Sequence, residues 1–273
     1  MRKTPSTWFY RLPHKLQRPF ERAWYEGISA IDREAHMVFM NYGWAGLDAC
    51  ARPLSLRPED EPNRYCIQLY HRVAGAVDLR GLAVLEVGCG RGGGASFVMR
   101  YLEPRTLIAL DQTARAISFC QGHYDVPGLT FVRGNAEALE FGQDMFDIVV
   151  NVESSHCYGA MDRFLAGIHR VLKPGGCLLY ADHRDRADVP ALRQQFRDAG
   201  LAVVEEELLN GAILRALELD NARKKELIRV KVPRLLWPFF NQFAAMEGTQ
   251  SIYETLRRGD KQYLRFVLRK ECG

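Results

Sequence analysis

The run at residues 84–96, VLEVGCGRGGGAS, limits the possible folds more than any other part of the chain. Leu82–Val87 is a short β-branched stretch that stops at Gly88. Gly88, Gly90 and Gly93 then satisfy the spacing G-x-G-x-x-G, and a helical pattern follows. Glycines so placed allow a tight turn after a strand and let a ligand approach the backbone closely. A buried strand, a glycine loop and a helix in that order predict the first unit of an open α/β sheet.

The rest of the middle region repeats this unit. Further short apolar runs predict strands at Leu107–Leu110, Leu129–Val132, Phe146–Val150 and Cys177–Ala181. Helical patterns lie between them. Ile67, Tyr70, Val73, Ala74 and Val77 form one stripe, with Asp60 and Pro62 suited to the helix start. Phe164, Leu165, Ile168, Val171 and Leu172 form a second. Leu192 and Phe196 mark a third, with Asp188 as N-cap, Pro190 in the first turn and Gly200 as C-cap. Strands alternating with helices imply a parallel sheet covered on both faces. Val203–Leu208 and Tyr263–Leu268 read as two final strands on either side of a helical insertion. The pattern divides the chain into an N-terminal lid or substrate-contacting segment (1–59), a Rossmann-like core (60–208), a helical insertion (209–262) that would form the acceptor pocket, and a last core strand (263–273).

Asp111 ends the second strand, 18 residues after Gly93. A carboxylate there can accept both hydroxyl hydrogens of a ribose; the bland alternative is a helix N-cap. Two nucleoside ligands fit, a dinucleotide or S-adenosylmethionine (SAM). Glu86 favours SAM. A carboxylate buried inside the strand needs a donor or cation nearby, and an α-ammonium serves where a pyrophosphate would not.

Five motifs now stand in order: the glycine loop, Asp111, Gly134–Glu137 (GNAE), Phe146–Val150 (FDIVV) and Arg170–Gly176 (RVLKPGG). Together they resemble a class I SAM-dependent methyltransferase. The resemblance implies a doubly wound seven-stranded sheet, mostly parallel, with an antiparallel last strand. It also implies that Asn135 and Ala136 flank the adenine, with the Asn135 side-chain oxygen bonding its amino group, where many relatives carry Asp. Cofactor contacts are then expected from Glu86, Gly88, Gly90, Asp111, Gln112, Asn135, Ala136 and, through its backbone, Asn151. Residues 60–64 (DEPNR), 69–72 (LYHR), 92–96 (GGGAS) and 151–158 (NVESSHCY) are more narrowly similar to the phthiotriol/phenolphthiotriol dimycocerosate methyltransferase group. Those enzymes O-methylate a hydroxyl on a large lipidic polyketide.

His156 is the expected general base. It lies just past the fourth strand, on the carboxyl edge where open α/β sheets bind ligands. Related O-methyltransferases carry a His at this place in an E-S-x-H run, here Glu153–His156. An ordinary imidazole pKa near 6.5 suits the task; the alternative is a structural His that bonds a loop carbonyl or stacks on the cofactor. Asp182, ending the fifth strand, would orient the imidazole or else pair with Arg184. His183 stands where the similar enzymes have an aliphatic residue, so the resemblance assigns it no role. Tyr42 and Trp44 look like an N-terminal lid that excludes water. Trp237 and Phe240 belong to an apolar cluster at 237–243, read as an acceptor-pocket wall, a dimer face or plain core. We expect no metal: Asp182, Asp185 and Asp188 cluster, but Arg184 and Arg186 interleave with them.

The predicted function is SAM-dependent O-methylation of a lipophilic small molecule, such as a polyketide, terpenoid or lipid. A C-methyltransferase shares every cofactor motif, and a repurposed, non-catalytic SAM-binding protein is the alternative of another class. The net charge of +4 is too mild to indicate a nucleic-acid partner. Residues 1–24 carry six Lys or Arg against one acid, interleaved with aromatics, a candidate for peripheral membrane contact. Seven cysteines with no C-x-x-C pair predict reduced thiols in the cytoplasm. A homodimer is compatible with the pattern but specified by none of it.

Overall fold

The computed structural model describes residues 35, 37–48, 54–234, 237 and 252–271. Seven strands form one sheet: β1 (Ala83–Val87), β2 (Thr106–Asp111), β3 (Leu129–Arg133), β4 (Phe146–Val152), β5 (Leu172–Asp185), β6 (Leu201–Leu208) and β7 (Lys261–Lys270). Their order is β3-β2-β1-β4-β5-β7-β6. The first five pair in parallel, and β7 runs antiparallel to both β5 and β6. The expected doubly wound architecture is therefore present. The chain order reverses direction at β1, so ligands should gather over the carboxyl ends of β1 and β4.

Seven helices are described: α1 (Arg64–Ala74), α2 (Gly93–Leu102), α3 (Ala114–His123), α4 (Met161–Val171), α5 (Val189–Asp198), α6 (Asn210–Lys231) and α7 (Ile252–Arg258). Strand alternation divides the core into two layers. Val84, Ile148 and Val150 face α1, α2, α3, α6 and α7 through Ile67, Phe97, Ile117, Ile213 and Leu256. Leu85, Val87 and Val149 face α4 and α5 through Phe164, Ile168, Leu192 and Phe196. A period of two puts Glu86 on the first face, beneath α1. The α4 stripe shows why the helical spacing was readable. Phe164, Leu165, Ile168 and Val171 are all fully buried, and each contributes about 1.5–3 kcal/mol of apolar burial.

Expectations at helix ends meet the structure in different ways. The α-helix begins at Arg64, two residues after Pro62, because a 3-10 turn at Glu61–Asn63 takes up the proline. Asp60 makes no cap bond; its carboxylate instead grips the Arg100 guanidinium at 2.7 and 2.8 Å and the Tyr101 hydroxyl at 2.6 Å. Asp188 occupies the N-cap of α5 without a side-chain bond, and Gly200 follows the C-cap Ala199, with φ +70°.

The antiparallel return is pinned by Asn210. Its amide nitrogen donates to the carbonyls of Leu256 and Lys261 at 3.0 and 2.9 Å, and its oxygen accepts from the Tyr263 N–H at 2.7 Å. Helices α6 and α7 thus leave and rejoin the sheet at one point. Arg265, buried in β7, pairs with Glu205 at 2.9 Å and Glu207 at 3.4 Å on the neighbouring edge strand and donates to the Arg72 carbonyl. Among the described residues no helix is long and apolar enough to cross a membrane. Cys66, Cys89, Cys120, Cys157 and Cys177 are free thiols. The basic segment 1–24, Phe240 and the rest of the 237–243 cluster except Trp237 lie outside the described residues.

Candidate active site

A cavity of about 470 Å³ opens over the carboxyl ends of β1, β2 and β4. The glycine loop forms its floor, residues 38–41 cover one side, and residues 152–154 and 157–159 close the other. The loop has no room for side chains at these glycines. Gly88 has φ +80°, and a Cβ there would fall 1.9 Å from Ser154 Oγ. At Gly94 a Cβ would lie 1.9 Å from the Tyr70 ring.

Asp111 ties this loop to β2. One oxygen accepts from the Gly90 N–H at 3.0 Å and the other from the Thr113 N–H at 2.8 Å. Burial raises its pKa above the ordinary value. Helix α3 begins at Ala114 with Thr113 at the N-cap, so Asp111 is not a helix cap. The Thr113 side chain and the Gln112 backbone also bond this carboxylate, so the protein holds it in place from several sides. Gln112, Asn135 and Ala136 line the same cavity. The Asn135 oxygen already accepts from the Glu137 N–H at 3.0 Å, which fixes the side chain and leaves its second lone pair.

Glu86 lies just behind the loop, 1% exposed. One carboxylate oxygen accepts from the Tyr70 hydroxyl at 2.7 Å, and the other has no partner. Burial pushes its pKa up to about 7, against the pull of the Tyr70 bond. An orphaned buried carboxylate oxygen calls for a donor that the protein does not supply. Asn151 is also buried. Its amide donates to the Val87 carbonyl at 2.8 Å and to the Tyr158 hydroxyl at 3.1 Å, bracing the loop from beneath. Neither Glu86 nor Asn151 is part of the cavity lining itself.

The structure brings His156 and Asp182 together. His156 sits in a 3-10 turn, Ser155–Cys157, just past β4. Its Nδ1 is 2.8 Å from Asp182 Oδ1, and its backbone N–H donates to Asp182 Oδ2 at 2.9 Å. Asp182 is fully buried on β5 and also accepts from Ser155 Oγ at 2.7 Å and the His183 N–H at 2.8 Å, with Arg184 at 3.3 Å. Burial alone would raise this carboxyl. The charges of His156 and Arg184 outweigh it and hold the carboxyl well below the usual range. For His156 burial opposes the cation, but the Asp182 charge prevails and raises the imidazole well above its ordinary value. His156 does not line the cavity; Ser154 and Cys157, on either side of it, do.

Sequence reasoning gave His183 no part, yet its ring stacks on His156 with centroids 4.5 Å apart, and burial keeps its pKa well below normal. The ring of Tyr42 follows at 6.0 Å. His156, Asp182 and His183 offer ligand atoms within 4.8 Å of one another, a spacing a metal ion could bridge. The lone pairs of Asp182 are, however, already engaged by five donors. His183 Nδ1 in the same cluster is buried without a partner.

Glu153 was likewise given no role. It lines the cavity in a left-handed conformation, φ +45°. Its carboxylate accepts from the Tyr42 N–H at 2.9 Å and the Tyr263 hydroxyl at 2.8 Å, and burial pushes its pKa up to about 7. One side chain thus ties the 37–48 segment to the sheet. The E-S-x-H run pointed at this residue, but its role was not readable because its partners lie 111 and 110 residues away. Trp44 packs against the core with its indole nitrogen buried and unpartnered, away from the cavity lining. Trp237 donates from its indole to the Val232 carbonyl at 2.8 Å, and Arg234 lies over its ring.

Comparison with known proteins agrees with this geometry. The family described as "Methyltransferase domain" matches residues 85–180. The fatty-acid O-methyltransferase of Mycolicibacterium smegmatis is 37% identical over 93% of this chain and 91% of its own length. The phthiotriol/phenolphthiotriol dimycocerosates methyltransferase of Mycobacterium tuberculosis is 38% identical over 92% of both chains. The geranyl diphosphate C-methyltransferase of Streptomyces coelicolor, solved with S-adenosyl-L-homocysteine, shares the fold with a TM-score of 0.64. It is 16% identical, with 90% of this chain and 98% of that one covered. The glycine cradle, the Asp111 carboxylate and the orphaned Glu86 oxygen fit SAM as the cofactor. The chain belongs to the class I SAM-dependent methyltransferases, in the family of the fatty-acid and phthiotriol/phenolphthiotriol dimycocerosates methyltransferases.

Proposed function

We propose that this enzyme methylates an oxygen of a lipophilic small molecule, with His156 accepting the proton of the acceptor. The observation that carries the reading is the 2.8 Å bond between His156 Nδ1 and Asp182 at the carboxyl edge of the sheet, beside the cofactor cavity. Support for a lipid-like acceptor comes from the relatives, whose names specify fatty-acid and phthiotriol substrates.

The roles follow from the geometry. When bound, SAM supplies an electrophilic methyl on its sulfonium sulfur. Glu86, Gly88, Gly90, Asp111, Gln112, Asn135 and Ala136 hold the cofactor, and Asn151 braces the loop from below. The Asp182 carboxylate accepts the Nδ1 proton of His156, and because the same charge raises the imidazole pKa, Nε2 is the basic atom only in molecules whose imidazolium has first lost its Nε2 proton to solvent, so turnover rises with pH. Nε2 then removes the acceptor proton as the oxygen attacks. Asp182 stabilises the resulting imidazolium, so the proton is held at Nε2 until solvent takes it. Arg184 and Ser155 keep Asp182 in place. Met40 and Phe39 cover the glycine loop and exclude water. Tyr42, whose ring lies tilted 6.0 Å from His183, would meet the acceptor, and Trp237 would line its approach. The basic segment 1–24 would contact the lipid surface from which such an acceptor is drawn.

The test is label transfer. The protein is incubated with deuterated-methyl SAM and a lipid extract of the source cells, and His156→Ala serves as control. Label in an organic-soluble methyl ether or ester, lost in the variant, is the expected result. Label on carbon would replace O-methylation with C-methylation. Label in RNA or protein would overturn the acceptor class.

A further inference from the structure

Glu86 can meet an ammonium only if its free oxygen points toward the cavity, and a lone carboxylate on a strand has no intrinsic reason to choose that rotamer. Tyr70, in the middle of α1, supplies one. Its hydroxyl donates to Glu86 Oε1 at 2.7 Å, leaving Oε2 buried and without a partner. The phenol itself cannot move away. Its ring fills the space a side chain at position 94 would occupy, 1.9 Å from an ideal Cβ, which is why α2 opens on glycine there. On the outer side Phe39 meets it edge-on, with centroids 6.0 Å apart. Tyr70 also lines the cofactor cavity. One ring therefore touches the strand carboxylate, the start of the loop helix and the segment covering the cavity.

We propose that Tyr70 is a positioning residue for the cofactor: its hydroxyl orients Glu86 so that Oε2 receives the α-ammonium of SAM. The inference rests on SAM occupying this cavity. It adds to the reading a residue that never touches the methyl group. The hydroxyl bond has a second consequence. Donation to the carboxylate favours its charged form, while burial and the nearby Asp111 charge oppose it. The Cys89 and Cys120 thiols nearby are both pushed up by burial and neutral at physiological pH, and the Glu153 carboxylate, itself raised to about 7, also acts on Tyr70. Removing the hydroxyl should therefore raise the pH below which Glu86 stops binding a cation.

The experiment measures binding, not turnover. S-adenosylhomocysteine and 5′-methylthioadenosine, which lacks the amino-acid portion, are titrated calorimetrically into wild type, Tyr70→Phe, Glu86→Gln and the double variant. Loss of a hydrogen bond to a charged group predicts that Tyr70→Phe weakens S-adenosylhomocysteine about tenfold. Methylthioadenosine should bind unchanged. In the Glu86→Gln background the Tyr70 change should have little further effect, since the two act as one unit. The acid limb of S-adenosylhomocysteine affinity should move to higher pH in Tyr70→Phe. Equal weakening of both ligands would mean a merely structural tyrosine and would overturn the proposal. Unchanged affinity for both would overturn it too, while leaving the cofactor reading intact. Failure of wild type to bind S-adenosylhomocysteine would remove the cofactor reading and the proposal together.

Discussion

Replacing Asp182 by Asn preserves the shape of the side chain and removes its charge. Asp182 is fully buried and faces five donors: Ser155 Oγ, the His156 N–H and Nδ1, the His183 N–H and Arg184. An amide offers one accepting oxygen, so its NH₂ must turn toward some of those donors. Arg184 keeps its bonds to the His183 carbonyl and to Ser155 Oγ, both 2.7 Å, and is not wholly orphaned. Removing one partner of such a buried network costs about 3–5 kcal/mol, and the melting temperature should fall by roughly 6–15 °C. The pH dependence has a definite sign. The Asp182 pKa is depressed on folding, so its contribution is lost as pH falls below about 4. The His156 pKa is raised, so its contribution is complete below about pH 6.5 and is lost as pH climbs through the higher folded value. The stability gap between wild type and Asp182→Asn should be widest between about pH 4 and 6.5. Urea unfolding followed by circular dichroism across that range measures it. The same substitution lowers the His156 pKa, so the rising limb of turnover should move to lower pH as its height falls. A gap under about 0.5 kcal/mol at pH 5, the ordinary scatter of surface changes, would refute the network argument.

Other outcomes follow from the same geometry. Glu86 is held near a pKa of about 7, so its charge destabilises the empty protein as pH rises from about 4.3 toward 7. Glu86→Gln should stabilise that form at pH 8 by up to about 3 kcal/mol in thermal unfolding, while weakening S-adenosylhomocysteine in calorimetry. Gly88→Ala places a methyl 1.9 Å from Ser154 Oγ at a φ of +80°, and calorimetry should find cofactor binding abolished. His156→Ala should lower turnover about 10²- to 10⁴-fold with S-adenosylhomocysteine affinity nearly intact; equal loss of both would make His156 a cofactor or structural residue.

Much of the fold was legible because its signals are local. Leu82–Val87 and Leu107–Leu110 read as strands from runs of apolar residues; observed β1 differs by one residue at its start and β2 by one at each end. The glycine loop was legible for the same reason, since the backbone conformation it needs excludes side chains at fixed spacing. Asp60 and Asp188 show where local reading fails. Each has the right type and place for a cap, but the side chain of Asp60 finds Arg100, forty residues away, and that of Asp188 caps nothing. Cap preferences of about 1 kcal/mol are readily outbid by a buried ion pair.

His156, Asp182 and the Arg184 pairing were each nameable from positions at strand ends, but the parts played by Ser155 and His183 around them were not. That network exists only because β4 and β5 pair in register, with Val152 beside Ala181, and bring the turns beyond them together. Tyr70 and Glu86 are a similar case, a helix residue and a strand residue joined only when α1 lies on the first face of the sheet. By itself the sequence determined the strand–loop–helix order, the nucleoside site and the family, because each depends on residues close together along the chain. Only the tertiary structure decided which buried carboxylates are satisfied, which imidazole faces a carboxylate and which aromatic ring bonds Glu86. Those properties depend on distances between side chains that only packing brings within 3 Å.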